Sequence, residues 1–238
     1  MNIKFTVITV CYNASAIIRE TITSVLGQTY EGLEYIVIDG KSTDGTADIL
    51  QSITDQRLKF ISEKDTGIYN AMNKGLRMAS GDYLIFLGAD DTFFDKDVLT
   101  NVAAKAGPGG EVIYGNVLLK KRQKLYNGKF TRWTWGHRNI CHQCIFYPRD
   151  VYSRCRYDER FRTTADWDYN LRLLSDGIKF RYIGETICIF NDEEGLSSST
   201  KDHDFLKERR QKVCRAVGLL PYCWGIVQRA KRRLLNEY

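Results

Sequence analysis

Asp90 and Asp91 stand side by side at the end of the run Gly81-Asp82-Tyr83-Leu84-Ile85-Phe86-Leu87-Gly88-Ala89-Asp90-Asp91. Two adjacent carboxylates repel each other unless a cation or a proton relieves them. Oxygen-only ligands beside a nucleotide suit a hard cation, Mg²⁺ or Mn²⁺. The same pair could equally form a turn or a helix N-cap, a role that needs no ligand. The apolar run before the pair predicts a central strand of a sheet covered on both faces. Ligands of such sheets bind beyond the carboxyl ends of the strands, where these carboxylates stand. A second group able to hold a metal is Cys141-His142-Gln143-Cys144, which has the spacing of half a zinc site. A structural zinc needs four ligands and no second CxxC exists, so zinc is not expected.

The elements that must position these groups alternate regularly. Phe5–Val10, Tyr35–Ile38, Leu58–Ile61 and Tyr83–Leu87 are β-rich or apolar runs. Between them lie stretches of helical periodicity: Ile18, Ile22, Val25 and Leu26 after a Ser15 cap, Ala47–Ile53, and the stripe Ile68, Met72, Leu76 and Ala79. Strands alternating with helices predict a parallel sheet with right-handed crossovers. Three loops then meet at its carboxyl edge: Cys11-Tyr12-Asn13, Asp39-Gly40-Lys41 and Asp90-Asp91. No Gly-rich dinucleotide fingerprint or Walker-type loop is present, which excludes an ordinary NAD enzyme and a P-loop NTPase.

Several of these segments resemble a known family. Val7–Asn13 followed by Ser24-Val25-Leu26-Gly27-Gln28-Thr29-Tyr30 is similar to the opening of family 2 glycosyltransferases. Ile36–Thr46 is similar to their second strand and loop. Asp65-Thr66-Gly67-Ile68-Tyr69-Asn70-Ala71-Met72-Asn73-Lys74-Gly75 resembles the subgroup that builds bacterial exopolysaccharide and capsule, including colanic-acid enzymes. Phe86–Asp91 stands where the family has its Asp-x-Asp metal motif, with Gly88 in place of the common Asp or Asn. The resemblance covers roughly residues 3 to 200. It implies a GT-A fold, an inverting transfer, a divalent metal (Mg²⁺ or Mn²⁺) and a nucleotide-diphosphate sugar donor, a UDP-sugar being favoured.

Carried over residue by residue, the resemblance implies that Asp39 bonds the base edge and that Thr9, Cys11, Tyr12 and Asn13 border base and ribose. Asp90 would hold the metal with Asp91 beside it, next to Ala89. Asn73 and Lys74 would face the phosphates or sugar, or else form a solvated helix face. Asp39 has a plain structural alternative as the cap of the Ser42–Thr46 turn. His142, in a segment that resembles the family's His-Gln stretch, would bond a phosphate or acceptor hydroxyl, or serve as a core histidine. Asp166 matches the position of the catalytic base. Both Asp166 and Asp168 lie in the first turn of a helix capped by Thr164, where the helix dipole favours carboxylates. Asp168 is expected to cap or to pair with an Arg.

The rest of the chain is read more coarsely. Asp95 is expected to cap a helix with Val98, Leu99, Val102 and Ala103 inward, broken by Gly107-Pro108-Gly109-Gly110. Lys120–Trp135 mixes basic and aromatic residues; it suits a wall for an acceptor or lipid carrier, a surface hairpin, or single-stranded nucleic acid. Nucleic acid is set aside as a partner. Gly195–Ser198 resembles a family loop at the edge of the site, and the Ser-rich run through Thr200 is a linker or flap. Ten Lys/Arg against four Asp/Glu between 201 and 238 give that stretch a net charge of +6, equal to that of all 238 residues. Its apolar-aromatic patch, Leu219–Val227, lies beside basic residues and fits a peripheral membrane contact, with a homodimer contact or a helix docked on the core as alternatives.

The expectation is thus an α/β GT-A fold with a mostly parallel sheet: a nucleotide-sugar half at 1–95, an acceptor half at 96–200 and a basic helical tail at 201–238. The expected function is transfer to a lipid-linked saccharide in cell-surface polysaccharide assembly, on the cytoplasmic face of the inner membrane. A catalytically impaired nucleotide-sugar-binding protein is the alternative that Gly88 motivates. The seven scattered cysteines suit reduced thiols, and because Met1-Asn2-Ile3-Lys4 runs straight into the first strand no signal peptide is expected.

Overall fold

The computed structural model describes residues 3–107, 111–126, 128–192 and 202–234. Four parallel strands come first: β1 (Phe5–Cys11), β2 (Leu33–Asp39), β3 (Leu58–Ser62) and β4 (Tyr83–Phe86). Every residue of β2 and β4 is buried, as expected of strands covered on both faces. The helices between them are α1 (Ile18–Leu26), α2 (Thr46–Gln51) and α3 (Ile68–Met78).

Two local details differ from expectation. Ser15 does not cap α1: its N–H donates to Asp44 Oδ2 at 2.9 Å and the helix begins three residues later. In α3, Ile68 is exposed, and Tyr69 turns inward with Met72 and Leu76. A stripe starting at 68 and one starting at 69 both have helical spacing, so periodicity alone does not choose between them.

β5 (Thr92–Phe93) and α4 (Val98–Lys105) follow, then β6 (Val112–Leu119), β7 (Lys124–Tyr126), α5 (Arg132–Trp135), a 3₁₀ turn at His142–Cys144, β8 (Ile145–Pro148), α6 (Arg149–Tyr152), α7 (Ala165–Ser175) and β9 (Phe180–Phe190). The N-cap of α4 is Asp97, with Asp95 accepting from its N–H at 2.9 Å. The β-rich runs Phe180–Ile183 and Ile187–Phe190, which the sequence alone divides into two strands, form one continuous strand with a register shift against β6. Gly195–Ser198, the Ser-rich run and the glycine break at 108–110 lie outside the described residues. Among the described residues one sheet runs β3-β2-β1-β4-β8-β6-β9-β5, with β7 on β6. The antiparallel β4–β8 pair joins the two halves of the chain. The mostly parallel α/β architecture is that of the GT-A fold.

The tail is two helices, α8 (His203–Val217) and α9 (Leu219–Leu234). α8 belongs to the packed body. Phe205 and Val213 are in the core, Asp202 caps the helix by accepting from Phe205 N at 3.2 Å, and the same carboxylate takes the Thr164 hydroxyl at 3.1 Å. Thr164 therefore stands at the N-cap of α7 but donates its hydroxyl to Asp202. α9 lies against α5 through a glycine contact. A Cβ on Gly225 would come within 2.3 Å of the Gly136 carbonyl, and one on Gly136 within 2.1 Å of the Pro221 carbonyl. Among the described residues no helix is long and apolar enough to cross a membrane.

Candidate active site

Parallel register places Cys11 beside Asp39, and Gly40 N donates to the Cys11 carbonyl at 2.9 Å, so the first two loops leave the sheet together. They are then locked to one another. Asn13 N donates to Ser42 Oγ at 2.8 Å, and Asn13 Oδ1 accepts from Thr43 N at 3.0 Å. Asn13 and Lys41 both take positive φ, a conformation asparagine tolerates better than most residues. Tyr12 is exposed above this edge. A Cβ on Gly40 would sit 3.1 Å from Asp65 Oδ2 and 3.3 Å from the Tyr12 ring, so the absence of a side chain at 40 lets Asp65 and Tyr12 approach this edge closely.

Asp39 is buried. It accepts from the Ser42 amide at 3.1 Å, from the Ser42 hydroxyl and from the Ser62 hydroxyl at 2.5 Å. It thus performs the turn-capping role that the sequence left as its alternative. Burial, then Asp39 beside it, pushes the Cys11 thiol up to about 12, so Cys11 stays a neutral thiol. Thr9 is buried beneath, its hydroxyl accepting from Tyr35 at 3.0 Å.

Asn73 and Lys74 are both engaged within the protein. Asn73 is buried and brackets the second half, donating to the Tyr157 carbonyl and Glu159 Oε1 and accepting from Tyr157 N at 2.9 Å. Lys74 Nζ pairs with Asp65 at 2.6 Å and Glu63 at 2.9 Å. Burial pulls its pKa down, but these partners outweigh that and leave it raised. Lys74 thus braces the loop that carries Asp65, whereas Asn73 ties α3 to residues 157–159.

The third loop shows what Gly88 does. A Cβ there would come within 2.4 Å of Asp91 Oδ2. Any side chain at 88 therefore competes with the Asp91 carboxylate for the same space. Asp91 is buried and accepts from Gly88 N at 3.2 Å, Gln143 Nε2 at 3.1 Å and Asn191 N at 2.9 Å. Burial, then repulsion from Asp90, pushes its carboxyl up to about 6. From below, the buried Thr21 hydroxyl sits 2.8 Å from the Ala89 carbonyl and 2.7 Å from that of Asp91, fixing the loop to α1. Asp90 is only half-buried, and its Oδ2 accepts from Asn191 Nδ2 at 3.2 Å.

Among the described residues no three His, Cys, Asp or Glu cluster to hold a metal. The Asp90 carboxylate is the kind of oxygen donor a hard cation would use, since Mg²⁺ keeps several waters and needs few carboxylates. Asp91 already has three N–H donors on its two oxygens and supports the loop. In the Cys141–Cys144 turn, Cys141 Sγ donates to Gln143 Oε1 and Cys144 Sγ to the Cys141 carbonyl.

The same edge carries Asp166, at the start of α7. Its Oδ2 accepts from Asn139 Nδ2 at 2.8 Å, and its Oδ1 from the Tyr69 hydroxyl at 3.2 Å. Burial raises the Tyr69 pKa well above its ordinary value, so the phenol stays a donor. His142 Nδ1 lies 3.6 Å from Asp166 Oδ2. Asp168 points the other way, into ion pairs with Arg172 at 2.8 Å and Lys212 at 2.5 Å. The pairing with an arginine follows the sequence expectation.

Asp90, Asp91, His142 and Asp166 thus form one connected group: Asn191 joins the first two, Gln143 links Asp91 to the turn that carries His142, and His142 meets Asp166, which Asn139 holds in place. Asn191, Gln143, Asn139 and Tyr69 were not singled out from sequence. Gln143 and Tyr69 lay inside motifs already noted; Asn191 and Asn139 carried no local signal.

Comparison with known proteins follows the same lines. The family described as Glycosyl transferase family 2 matches residues 6–170. A PGL/p-HBAD biosynthesis glycosyltransferase of Mycobacterium bovis is 36% identical over 212 residues, covering 85% of this chain and 82% of that one. An uncharacterized glycosyltransferase of Mycobacterium tuberculosis is 32% identical over 203 residues, covering 81% of this chain and 76% of its own. Among solved structures, S. aureus TarS 1-349 in complex with UDP-GlcNAc superposes with a TM-score of 0.73 at 19% identity, covering 89% of this chain and 66% of that one. Mannosyltransferase PcManGT from Pyrobaculum calidifontis, in complex with GDP-Man and Mn²⁺, gives a TM-score of 0.68 at 16% identity, covering 98% of this chain and 76% of its own.

Proposed function

Because the chain belongs to glycosyl transferase family 2, we propose that it moves a sugar, with inversion, from a nucleotide-diphosphate sugar to the hydroxyl of a lipid-linked saccharide in bacterial cell-surface polysaccharide assembly. The observation that carries this reading is the Asp166 carboxylate, held by Asn139 and Tyr69 on the same edge as Asp90. The donor nucleotide lies over the loop edge formed by Tyr12, Gly40 and Asp65, with a UDP-sugar favoured. Asp166 takes the proton of the acceptor hydroxyl as its oxygen bonds to the anomeric carbon. The bond from that carbon to the diphosphate breaks, and its electron pair leaves with the diphosphate on the opposite face. A divalent cation at Asp90, when bound, neutralises charge on that leaving group. His142 Nδ1 lies 3.6 Å from Asp166 Oδ2 and would orient that carboxylate or the acceptor hydroxyl.

A panel of UDP-, GDP- and dTDP-sugars tests the reading. One donor class is expected to raise the melting temperature and to be consumed. Stabilisation without turnover, even with acceptor extracts, favours the impaired nucleotide-sugar-binding protein that Gly88 motivates. If no donor stabilises the chain, both readings fail.

The proposed acceptor calls for contact with a bilayer, on the cytoplasmic face of the inner membrane. Leu220, Trp224, Val227 and Leu234 share one exposed face of α9, with exposed Lys231 beside them. Trp133 of α5 continues that surface, its ring 6.3 Å from that of Trp224. An apolar face flanked by positive charge is the pattern of an interfacial helix. Replacing Leu220 and Trp224 with Glu is expected to lower sedimentation with anionic vesicles by about tenfold or more, since both anchors leave the bilayer. Unchanged sedimentation, with a concentration-dependent mass in solution, would mean that the face pairs two copies instead. Removing residues 201–238 is a poorer test, because it strips Phe205 and Val213 from the core.

A further inference from the structure

Trp167, the residue after the proposed base, lies under a guanidinium. The Cζ of Arg209, on α8, is 4.4 Å from the centroid of the Trp167 ring. Arg209 Nε is buried and meets no hydrogen-bond acceptor among the described residues, and no carboxylate of those residues pairs with this side chain. The buried indole Nε1 of Trp167 likewise meets no acceptor there. A second guanidinium stands close by. Burial first, and the positive charge of Arg229 second, pull the Arg209 pKa down to about 10. Arg229 itself donates to the Gly136 carbonyl at 3.4 Å, at the head of the segment that carries Asn139, the partner of Asp166.

A half-buried guanidinium facing a like charge without a carboxylate is costly to the folded chain alone. An anion relieves both the repulsion and the unmet donors, and a phosphate matches the guanidinium fork. The position favours a group borne by the acceptor over one on the donor. Asp39 and Asp90 lie on the first half of the chain, whereas Arg209 and Arg229 come from the tail, and Arg209 packs on Trp167, the residue after Asp166. The docked side of α9 carries Arg229 while its outer face carries Leu220 and Trp224.

We propose that Arg209, with Arg229 and the Trp167 indole N–H, forms a subsite for a phosphate group on a lipid-borne acceptor. This rests on the glycosyltransferase reading and specifies its acceptor as anionic. The test uses the full chain with its nucleotide site saturated by UDP. Binding of farnesyl phosphate and of farnesol is read by tryptophan fluorescence, alongside sedimentation with phosphatidylcholine vesicles with and without phosphatidylglycerol. Farnesyl phosphate is expected to bind about tenfold tighter than farnesol, the scale of one or two charge-assisted hydrogen bonds. Arg209→Gln should abolish that preference and Arg209→Lys keep part of it; Arg229→Gln provides a second variant should Arg209→Gln fold poorly. Equal binding of the two probes, or an unchanged preference in the Gln variants, overturns the subsite. If the Gln variants lose only the response to phosphatidylglycerol and keep the farnesyl phosphate preference, the site reads a bilayer headgroup and the acceptor assignment falls. UDP affinity of the unaltered chain, by calorimetry, tests the donor reading separately.

Discussion

Asp166→Asn is expected to keep nucleotide-diphosphate affinity while transfer falls by about 10²–10⁴-fold, the range typical of a lost general base. The substitution is nearly isosteric, and Asn139 and Tyr69 hold the side chain from two directions. The position of the group should survive and its basicity should not. The competing base is His142, 3.6 Å away. Two measurements separate them: calorimetry with a nucleotide diphosphate for binding, and single-turnover transfer for chemistry. If Asp166→Asn transfers at a near wild-type rate and His142→Ala does not, His142 is the base. If both variants bind and both are slow, the proton passes to Asp166 and His142 orients the acceptor or the carboxylate.

The second large effect separates two adjacent carboxylates. From sequence alone, Asp90→Asn is expected to cost more activity than Asp91→Asn. The geometry turns this into a difference in kind. Asp90→Asn should reduce transfer by roughly 10²–10³-fold, as does removal of one preorganised group that stabilises developing charge. It should not lower the melting temperature near pH 7, because it removes the like charge that helps push Asp91 up to about 6. The sign follows from linkage. A carboxyl whose pKa is raised in the folded state favours the fold while protonated, and that contribution is lost as pH rises through about 6. Neutralising residue 90 lessens the loss.

Asp91→Asn should act on stability instead, by about 2–3 kcal/mol. Its two oxygens accept three N–H groups, and an amide would turn its own N–H₂ toward one of them. Thermal melts and donor turnover of the two variants, with a divalent cation and with excess chelator, decide the matter. Full wild-type turnover in chelator would remove the metal from the reading. A stable, inactive Asp91→Asn beside a stable, active Asp90→Asn would exchange their roles.

The sheet and its three loops were legible because they rest on local signals: unbroken apolar runs for β2 and β4, and polar residues at their ends. The Asp168–Arg172 pair was legible for the same reason, being one helical turn apart. What could not be read are partnerships between distant residues. Asn73 meets Tyr157, Tyr69 meets Asp166 and Ser15 meets Asp44, and nothing in the spacing of either partner announces the other. Gly88 is the instructive case. From the sequence it is a missing ligand; in the structure it is the space that the Asp91 carboxylate occupies. The tail was divided by charge and hydrophobicity, but Phe205 and Val213 tie α8 to the core and leave α9 alone to present an outer apolar face.

The antiparallel β4–β8 pair has a consequence for how the chain is made. One edge of β4 is covered by β1, but its other edge pairs with Tyr147 and Pro148, about sixty residues further along. At a ribosomal rate of roughly 5–20 residues per second, that edge stays open for about 3–12 s while the intervening chain emerges. Tyr83-Leu84-Ile85-Phe86 is apolar, uncharged and free of proline, the composition that recruits a stray strand. A trigger-factor-like chaperone, or slow emergence of residues 87–144, therefore matters most for this enzyme in the interval after its nucleotide-binding strands have formed and before β8 arrives to close the seam.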